Sequence, residues 1–250
     1  VKISIITATY NCEKTIEDAI KSVSEQDFPN IEHIIIDGAS TDKTLEVINQ
    51  NSDRISILIS EPDKGIYDAL NKGISKATGD YIGFLHADDI YNSKTVISEI
   101  VEILNKENSD SLYADLQYVS KNNTAKIIRY WKSGIFEINK LKNGWMPPHP
   151  TFFVKKEIYE RFGFFDTNFK ISADYDIILR FLGKHKISTS YFPKTIIKMR
   201  VGGESNRSFK NIKLKMEEDL KALKKNNIGS IISLLLKNIS KIPQLFSRNN

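Results

Sequence analysis

"GIYDALNKGISKATGDYIGFLHADD", residues 65–89, reads as a helix, a strand and a carboxylate pair in direct succession. Ile66, Ala69, Leu70, Ile74 and Ala77 recur at helical spacing, and Gly79 is the expected stop. The apolar run "DYIGFLHA" (80–87) then predicts a buried strand, with alternation turning His86 toward the core. It ends directly on Asp88 and Asp89. Adjacent carboxylates repel, the more so when partly desolvated. Their placement therefore calls for a helix cap, a salt-bridge network or a metal ion.

The same alternation extends back to the start of the chain. "KISIITAT" (2–9), "IEHIIID" (31–37) and "ISILIS" (55–60) predict strands; "EKTIEDAIKSVSEQ" (13–26) and "STDKTLEVINQ" (40–50) predict helices. Ser40 or Thr41 is the expected cap of the second helix, with Asp42 at its positive end. A further helix is expected from about Ser93 to Leu104. Strands separated by helices predict an α/β fold with a largely parallel sheet covered on both faces. Ligands bind such sheets at the carboxyl ends of the strands. That rule selects Thr7 to Asn11, Asp37 to Asp42, Glu61 to Gly65 and His86 to Asp89. Beyond residue 106, strands are expected at 110–120, 125–131 and 191–203. A Pro- and aromatic-rich loop (143–154) leads into another strand, and a helix within 171–183 closes at Gly183.

Composition limits the function classes. The chain has 250 residues, 40% hydrophobic and 27% charged, as in ordinary globular proteins. The single Cys12 excludes an internal disulfide and fits a reducing compartment. The start lacks the pattern of a signal peptide, and no run is apolar enough to span a bilayer. Of the net charge of +5, the segment from Lys210 onward carries nine Lys/Arg against three acids, which leaves the rest near neutral. That distribution argues against a nucleic-acid binder with a broad basic face. No G-x-G-x-x-G or Walker loop follows the first strand, which ends in "TATYNCEKT". A phosphorylated ligand would instead be met by a hard cation, Mg²⁺ or Mn²⁺, on Asp88 and Asp89.

Four blocks in order, "SIITATYNCEKTIEDAIKSV", "IEHIIIDGASTDKT", "SEPDKGIYDALNKGISKATGDYIGFLHADD" and "HPTFFVKKEIYERFGFFDTNFKISADYDIILR", resemble the family two glycosyltransferases, which have the GT-A fold. The resemblance covers roughly residues 1–205, and the "DKGIYDALNKG" block is similar to a bacterial subgroup that builds surface polysaccharides such as O-antigen or capsule. It implies a GT-A domain over 1–205, with a nucleotide-binding half (1–105) and an acceptor-binding half (106–205). Residues 206–250 would be a helical basic tail.

The resemblance also implies roles. Thr7, Ala8, Thr9 and Tyr10 would line the base pocket, and Asp37 would accept a hydrogen bond from the base. Lys64 and the helix start after Gly65 would face the diphosphate, with Asn71 beside them. Asp88 would contact ribose or metal, and Asp89 the metal, Mn²⁺ or Mg²⁺. Asp174 in "SADYD" falls at the place of the general base of an inverting, metal-dependent transfer from a nucleoside diphosphate sugar, UDP first among them. The family often has Glu-Asp there, whereas this chain has Ala173 before Asp174, which leaves Asp176 a lesser competitor. His149 and Asp115 are weaker acceptor-side candidates, each with an equally plain loop or turn role. The rival classes are a sugar-phosphate nucleotidyltransferase, which would need a glycine-rich first loop, and a non-catalytic module binding a nucleotide sugar or glycan.

In the tail, Ile228, Ile231, Ile232, Leu235, Ile239 and Ile242 follow helical spacing, with Lys237 and Lys241 on the opposite side and Pro243 as the expected end. One expectation is a helix packed on the domain. The other is a basic amphipathic helix on an anionic membrane surface, helped by Lys221, Lys224 and Lys225. The second would place the protein in the cytoplasm, peripheral on the inner face of the membrane, near a glycan or lipid-diphosphate-linked glycan acceptor.

Overall fold

The computed structural model describes residues 1–202 and 209–239, the last two and Phe209 by their backbone alone. Strand β1 (Ile3–Thr9) is followed by α1 (Ile16–Ser24), β2 (Ile31–Asp37), α2 (Thr44–Gln50), β3 (Ile57–Ser60), α3 (Ile66–Lys76) and β4 (Tyr81–Phe84). Next come β5 (Ile90–Tyr91), α4 (Val96–Glu107), β6 (Ser111–Ser120) and β7 (Asn123–Trp131). The chain continues through α5 (Ile138–Lys142), β8 (Phe153–Lys155), α6 (Lys156–Phe162), α7 (Ala173–Ile178), β9 (Thr189–Arg200), α8 (Phe209–Asn226) and α9 (Ile231–Ile239).

One sheet in the order β3-β2-β1-β4-β8-β6-β9-β5, with β7 paired to β6, runs through the molecule. Its first four strands are parallel, as the alternation predicts. The rest is mixed: β8 is antiparallel to β4 and β6, while β6 and β9 are parallel. Every residue of β1 is buried, consistent with layers on both faces. Its isoleucines and those of β2 supply much of the core; fully burying one such side chain contributes about 1.5–3 kcal/mol.

Several boundaries differ from the sequence expectation. Helix α3 ends at Lys76, because Ala77 is already extended, so Gly79 is not its stop. Helix α2 begins at Thr44, later than expected, and Asp42 accepts the Thr44 amide at 2.9 Å in place of a Ser40 or Thr41 cap. A π-helical stretch (Leu179–Lys184) continues α7 through Gly183, against which Ile228 packs. The tail is not a separate layer: Ala222, Leu223 and Leu234 are buried in the same core as β1, α3 and α7.

Helix α9 reverses the expected polarity. Lys237 is 1% exposed, its ammonium 2.9 Å from Asp219 and 3.2 Å over the Tyr175 ring. Ile231, Ile232, Leu235 and Leu236 lie outward, 38–64% exposed. Lys237, expected opposite the apolar side of the helix, is thus the residue turned to the domain; a buried carboxylate and an aromatic face draw it inward. Lys241, Ile242 and Pro243 fall outside the described residues, as does the side chain of Ile239.

Candidate active site

The register of the parallel strands brings Thr9, Asp37 and Ser60 level at their carboxyl ends. That alignment explains what Asp37 does. Its carboxylate is buried, accepting the Ser60 hydroxyl at 2.7 Å and both the amide and hydroxyl of Ser40. Asp37 thus braces two strand ends and is not presented to a base. Thr7 is also withdrawn, buried and sharing a 3.0 Å hydrogen bond with His33. Ala8 packs into the core, whereas the buried Thr9 hydroxyl has no partner among the described residues. Tyr10, just past β1, is 59% exposed and offers an open ring.

Gly38 separates Tyr10 from Asp63, and any side chain there would run into the Asp63 carboxylate. Asp63, overlooked by the sequence reading, accepts the Gly65 amide at 2.8 Å through one oxygen. Gly65 has φ +113°, a left-handed value that favours glycine, and starts α3. Lys64 is exposed beside that helix start, while its amide is held by Asp68 at 3.0 Å. Asn71 is not available to a donor: its amide gives to the Phe165 carbonyl and accepts the Phe165 amide, both at 2.9 Å. Its two polar ends tie α3 to the loop before α7.

After β4 the chain turns, and the carboxylate pair divides. Asp89 is 1% exposed; one oxygen accepts the Arg200 amide at 3.2 Å and the other has no partner among the described residues. Burial, then the Asp88 charge, pushes its pKa well up, against the lowering effect of Arg200. Asp88 is half-buried, its carbonyl accepting the Arg200 guanidinium at 2.6 Å. Two carboxylates suit a hard divalent cation, and the unpartnered Asp89 oxygen is an atom that such an ion would satisfy. Among the described residues no group of three or more His, Cys, Asp or Glu is arranged to hold a metal. The remaining shell would be water and phosphate oxygens.

Asp174 stands half-buried at the start of α7, and Tyr67 of α3 reaches it at 3.4 Å. His86 links the two acidic groups. Burial lowers its pKa, while Asp88 and Asp174 are both near enough to raise it. His86 turns toward the core only in part: it is half-buried, with its ring next to the buried His149. His149 lies 6.1 Å from it, stacked on Phe84 and edge-on to Phe165. Burial depresses the His149 pKa to about 4, and neither ring nitrogen has a partner among the described residues. Buried in this aromatic floor, it supports the site and is out of an acceptor's reach. Asp115 is likewise withdrawn, accepting the Ser133 amide at 2.7 Å and the Tyr191 hydroxyl at 2.9 Å. Asp176 is fully buried and held by Lys225 and Asn226, so it does not compete with Asp174.

The model for "Glycosyl transferase family 2" matches residues 4–166, nearly two thirds of the chain. The chain belongs to this family. The matched segment includes Asp88 and Asp89 but stops short of Asp174. A PGL/p-HBAD biosynthesis glycosyltransferase of Mycobacterium bovis is 28% identical over 208 residues, covering 81% of this chain and 78% of that protein. The uncharacterized glycosyltransferase Rv1514c of Mycobacterium tuberculosis is 32% identical over 71% of this chain and 68% of its own length.

Solved structures share the fold, a GT-A type. The 1–349 fragment of S. aureus TarS in complex with UDP superposes with a TM-score of 0.68 at 19% identity, over 100% of this chain and 74% of that one. Longer TarS is matched over 96% of this chain but only 44% of its own length. The mannosyltransferase PcManGT of Pyrobaculum calidifontis, in complex with GDP-Man and Mn²⁺, gives 0.66 at 17% identity, over 98% and 73%.

Proposed function

We propose that the protein is a metal-dependent, inverting glycosyltransferase that moves a sugar from a nucleoside diphosphate sugar, a UDP-sugar, to a glycan hydroxyl. The observation that carries this is the Asp88–Asp89 pair directly after β4, with an Asp89 oxygen buried and unpartnered among the described residues, in a chain of this family. In this reading Tyr10 stacks on the base, with Asp63 beside it as the open carboxylate that Asp37 no longer offers. Lys64 and the start of α3 face the diphosphate. Asp88 and Asp89 hold Mn²⁺ or Mg²⁺, which when bound neutralises charge on the departing diphosphate. Asp174 accepts the proton of the acceptor hydroxyl as its oxygen attacks the anomeric carbon. The bond from that carbon to the diphosphate breaks, and the configuration inverts.

We further propose a lipid-diphosphate-linked acceptor in bacterial surface-polysaccharide synthesis, met at the inner face of the membrane. The exposed Ile231, Ile232, Leu235 and Leu236 of α9 support this, as an apolar face of the kind that lies in a bilayer interface. No helix among the described residues is long and apolar enough to cross a membrane. The basic contribution is smaller than the sequence suggests, because Lys237 is buried and Lys225 is paired with Asp166 and Asp176.

The test is a screen of UDP- and GDP-sugars for nucleoside diphosphate release with Mn²⁺ or Mg²⁺, followed by Asp174→Asn on the active donor. Transfer should fall about 10²- to 10⁴-fold while donor affinity stays near that of the wild type. An active Asn variant would remove Asp174 as the base.

A further inference from the structure

Helix α7, six residues with Asp174 in its first turn, runs on only through the six-residue π-helical stretch Leu179–Lys184. Such a helix is marginal alone and takes its position from what holds its ends. Three consecutive amides in the loop before it, those of Lys170, Ile171 and Ser172, converge on one carboxylate from the tail. Glu218 of α8 accepts them at 2.8, 2.8 and 3.0 Å. From the opposite direction, the Tyr67 hydroxyl donates to the Ile171 carbonyl at 2.6 Å. Ile171 is therefore held at both its N–H and its C=O, from α8 and from α3. Glu218 is buried and has no ion pair among the described residues, so backbone dipoles provide its compensation.

Two further contacts hold α8 near α7, one directly and one through α9. Asp176 accepts Lys225 at 3.1 Å and Asn226 at 2.9 Å. Asp219 binds Lys215 and Lys237, each at 2.9 Å, beneath the Tyr175 ring on which Lys237 sits. The tail thus grips α7 along its length, and Glu218 is the contact nearest the site.

We propose that Glu218 is a positioning residue for transfer: by collecting the three loop amides it sets where Asp174 stands relative to the donor. This rests on Asp174 being the general base. The role is specific to a carboxylate, which offers two acceptor oxygens and no donor. Glu218→Gln keeps the volume but turns an NH₂ group against at least one loop amide. A shift of about 1 Å at a reacting group can cost about a hundredfold in rate.

The experiment compares full-length Glu218→Gln with Leu223→Ala, which removes a buried side chain of the same helix outside the loop contact. Each variant is measured for thermal midpoint, for Mn²⁺-dependent UDP affinity, and for kcat and donor KM with the nucleotide sugar that the wild type turns over. Asp174→Asn is the reference. For Glu218→Gln we expect kcat to fall about ten- to a hundredfold, with UDP affinity and donor KM within about twofold. Leu223→Ala should lose at least as much midpoint yet keep kcat within about twofold. Wild-type kcat in Glu218→Gln would overturn the proposal, and so would an equal kcat loss in Leu223→Ala at equal midpoint loss. If Asp174→Asn itself stays active, the assignment of the base fails; if it is inactive while Glu218→Gln is normal, only the role of Glu218 fails.

Discussion

Two sets of adjacent acids, Asp88–Asp89 after β4 and Glu218–Asp219 within the Glu217–Asp219 run of α8, are used in opposite ways. In the first, one carboxylate is half-open and the other keeps an oxygen without a partner among the described residues. In the second, Glu218 receives three amides and one Asp219 oxygen receives two lysines, with both residues buried. Adjacent acids are costly wherever they sit. The difference lies in the compensating groups: three amides and two lysines meet the tail pair, although Asp219 Oδ1 has no partner among the described residues, whereas at Asp89 one oxygen accepts the Arg200 amide. The tail pair therefore carries stability, and under the proposed function the β4 pair carries binding.

The largest stability effect should come from breaking the inward pair. Lys237→Met removes a cation that is 1% exposed from an Asp219 that is 2% exposed, and breaking such a buried pair costs about 3–5 kcal/mol. Because Lys215 also binds Asp219, about 3 kcal/mol is expected in urea unfolding. A loss below about 1 kcal/mol would mean that the tail is not held as described.

An effect of comparable ceiling, absent at neutral pH, separates the sheet from both pairs. Burial holds the His33 pKa down at about 4, below its ordinary 6.5, so the folded protein resists a proton that the unfolded chain accepts. Stability is then full above pH 6.5 and falls as pH drops toward about 4, by at most about 1.4 kcal/mol per unit for this residue. His149 acts in the same direction over the same window. Below it, Glu32 continues the loss from its ordinary 4.5 down to about 2, because bonds from Thr78, Ser4 and Lys2 outweigh its burial. His33→Gln should flatten the upper limb of the pH–stability curve; an unchanged slope would refute the assignment.

The smallest stability effect is expected from Ile232→Glu with Leu235→Glu. Both side chains are more than half exposed, so the midpoint should barely move. Sedimentation with anionic liposomes should nevertheless fall sharply. Unchanged sedimentation would take the membrane role away from α9.

The sheet was legible because its strands are apolar runs punctuated by helices of clear period, and the strand-end rule then picked out the candidate site. What escaped were the pairings of distant residues. Nothing local in "DALNKG" shows that Asn71 is tied to Phe165, 94 residues later. The spacing of the α9 isoleucines marks a face but not its direction, which depends on Asp219 and Tyr175. Asp37 and Asp115 were candidates for their residue type and strand-end positions; Ser40, Ser60, Ser133 and Tyr191 had already taken their oxygens. Glu218 gave no signal at all, since its partners are backbone amides.

The most direct measurement is calorimetric titration of UDP into wild type and Asp88→Asn, each with Mn²⁺ and with chelator. The account predicts that Mn²⁺ strengthens UDP binding to the wild type at least tenfold, that Asp88→Asn loses this gain, and that its unfolding midpoint stays at the wild-type value. Metal-dependent binding that survives in Asp88→Asn, or a wild type indifferent to Mn²⁺, would contradict it.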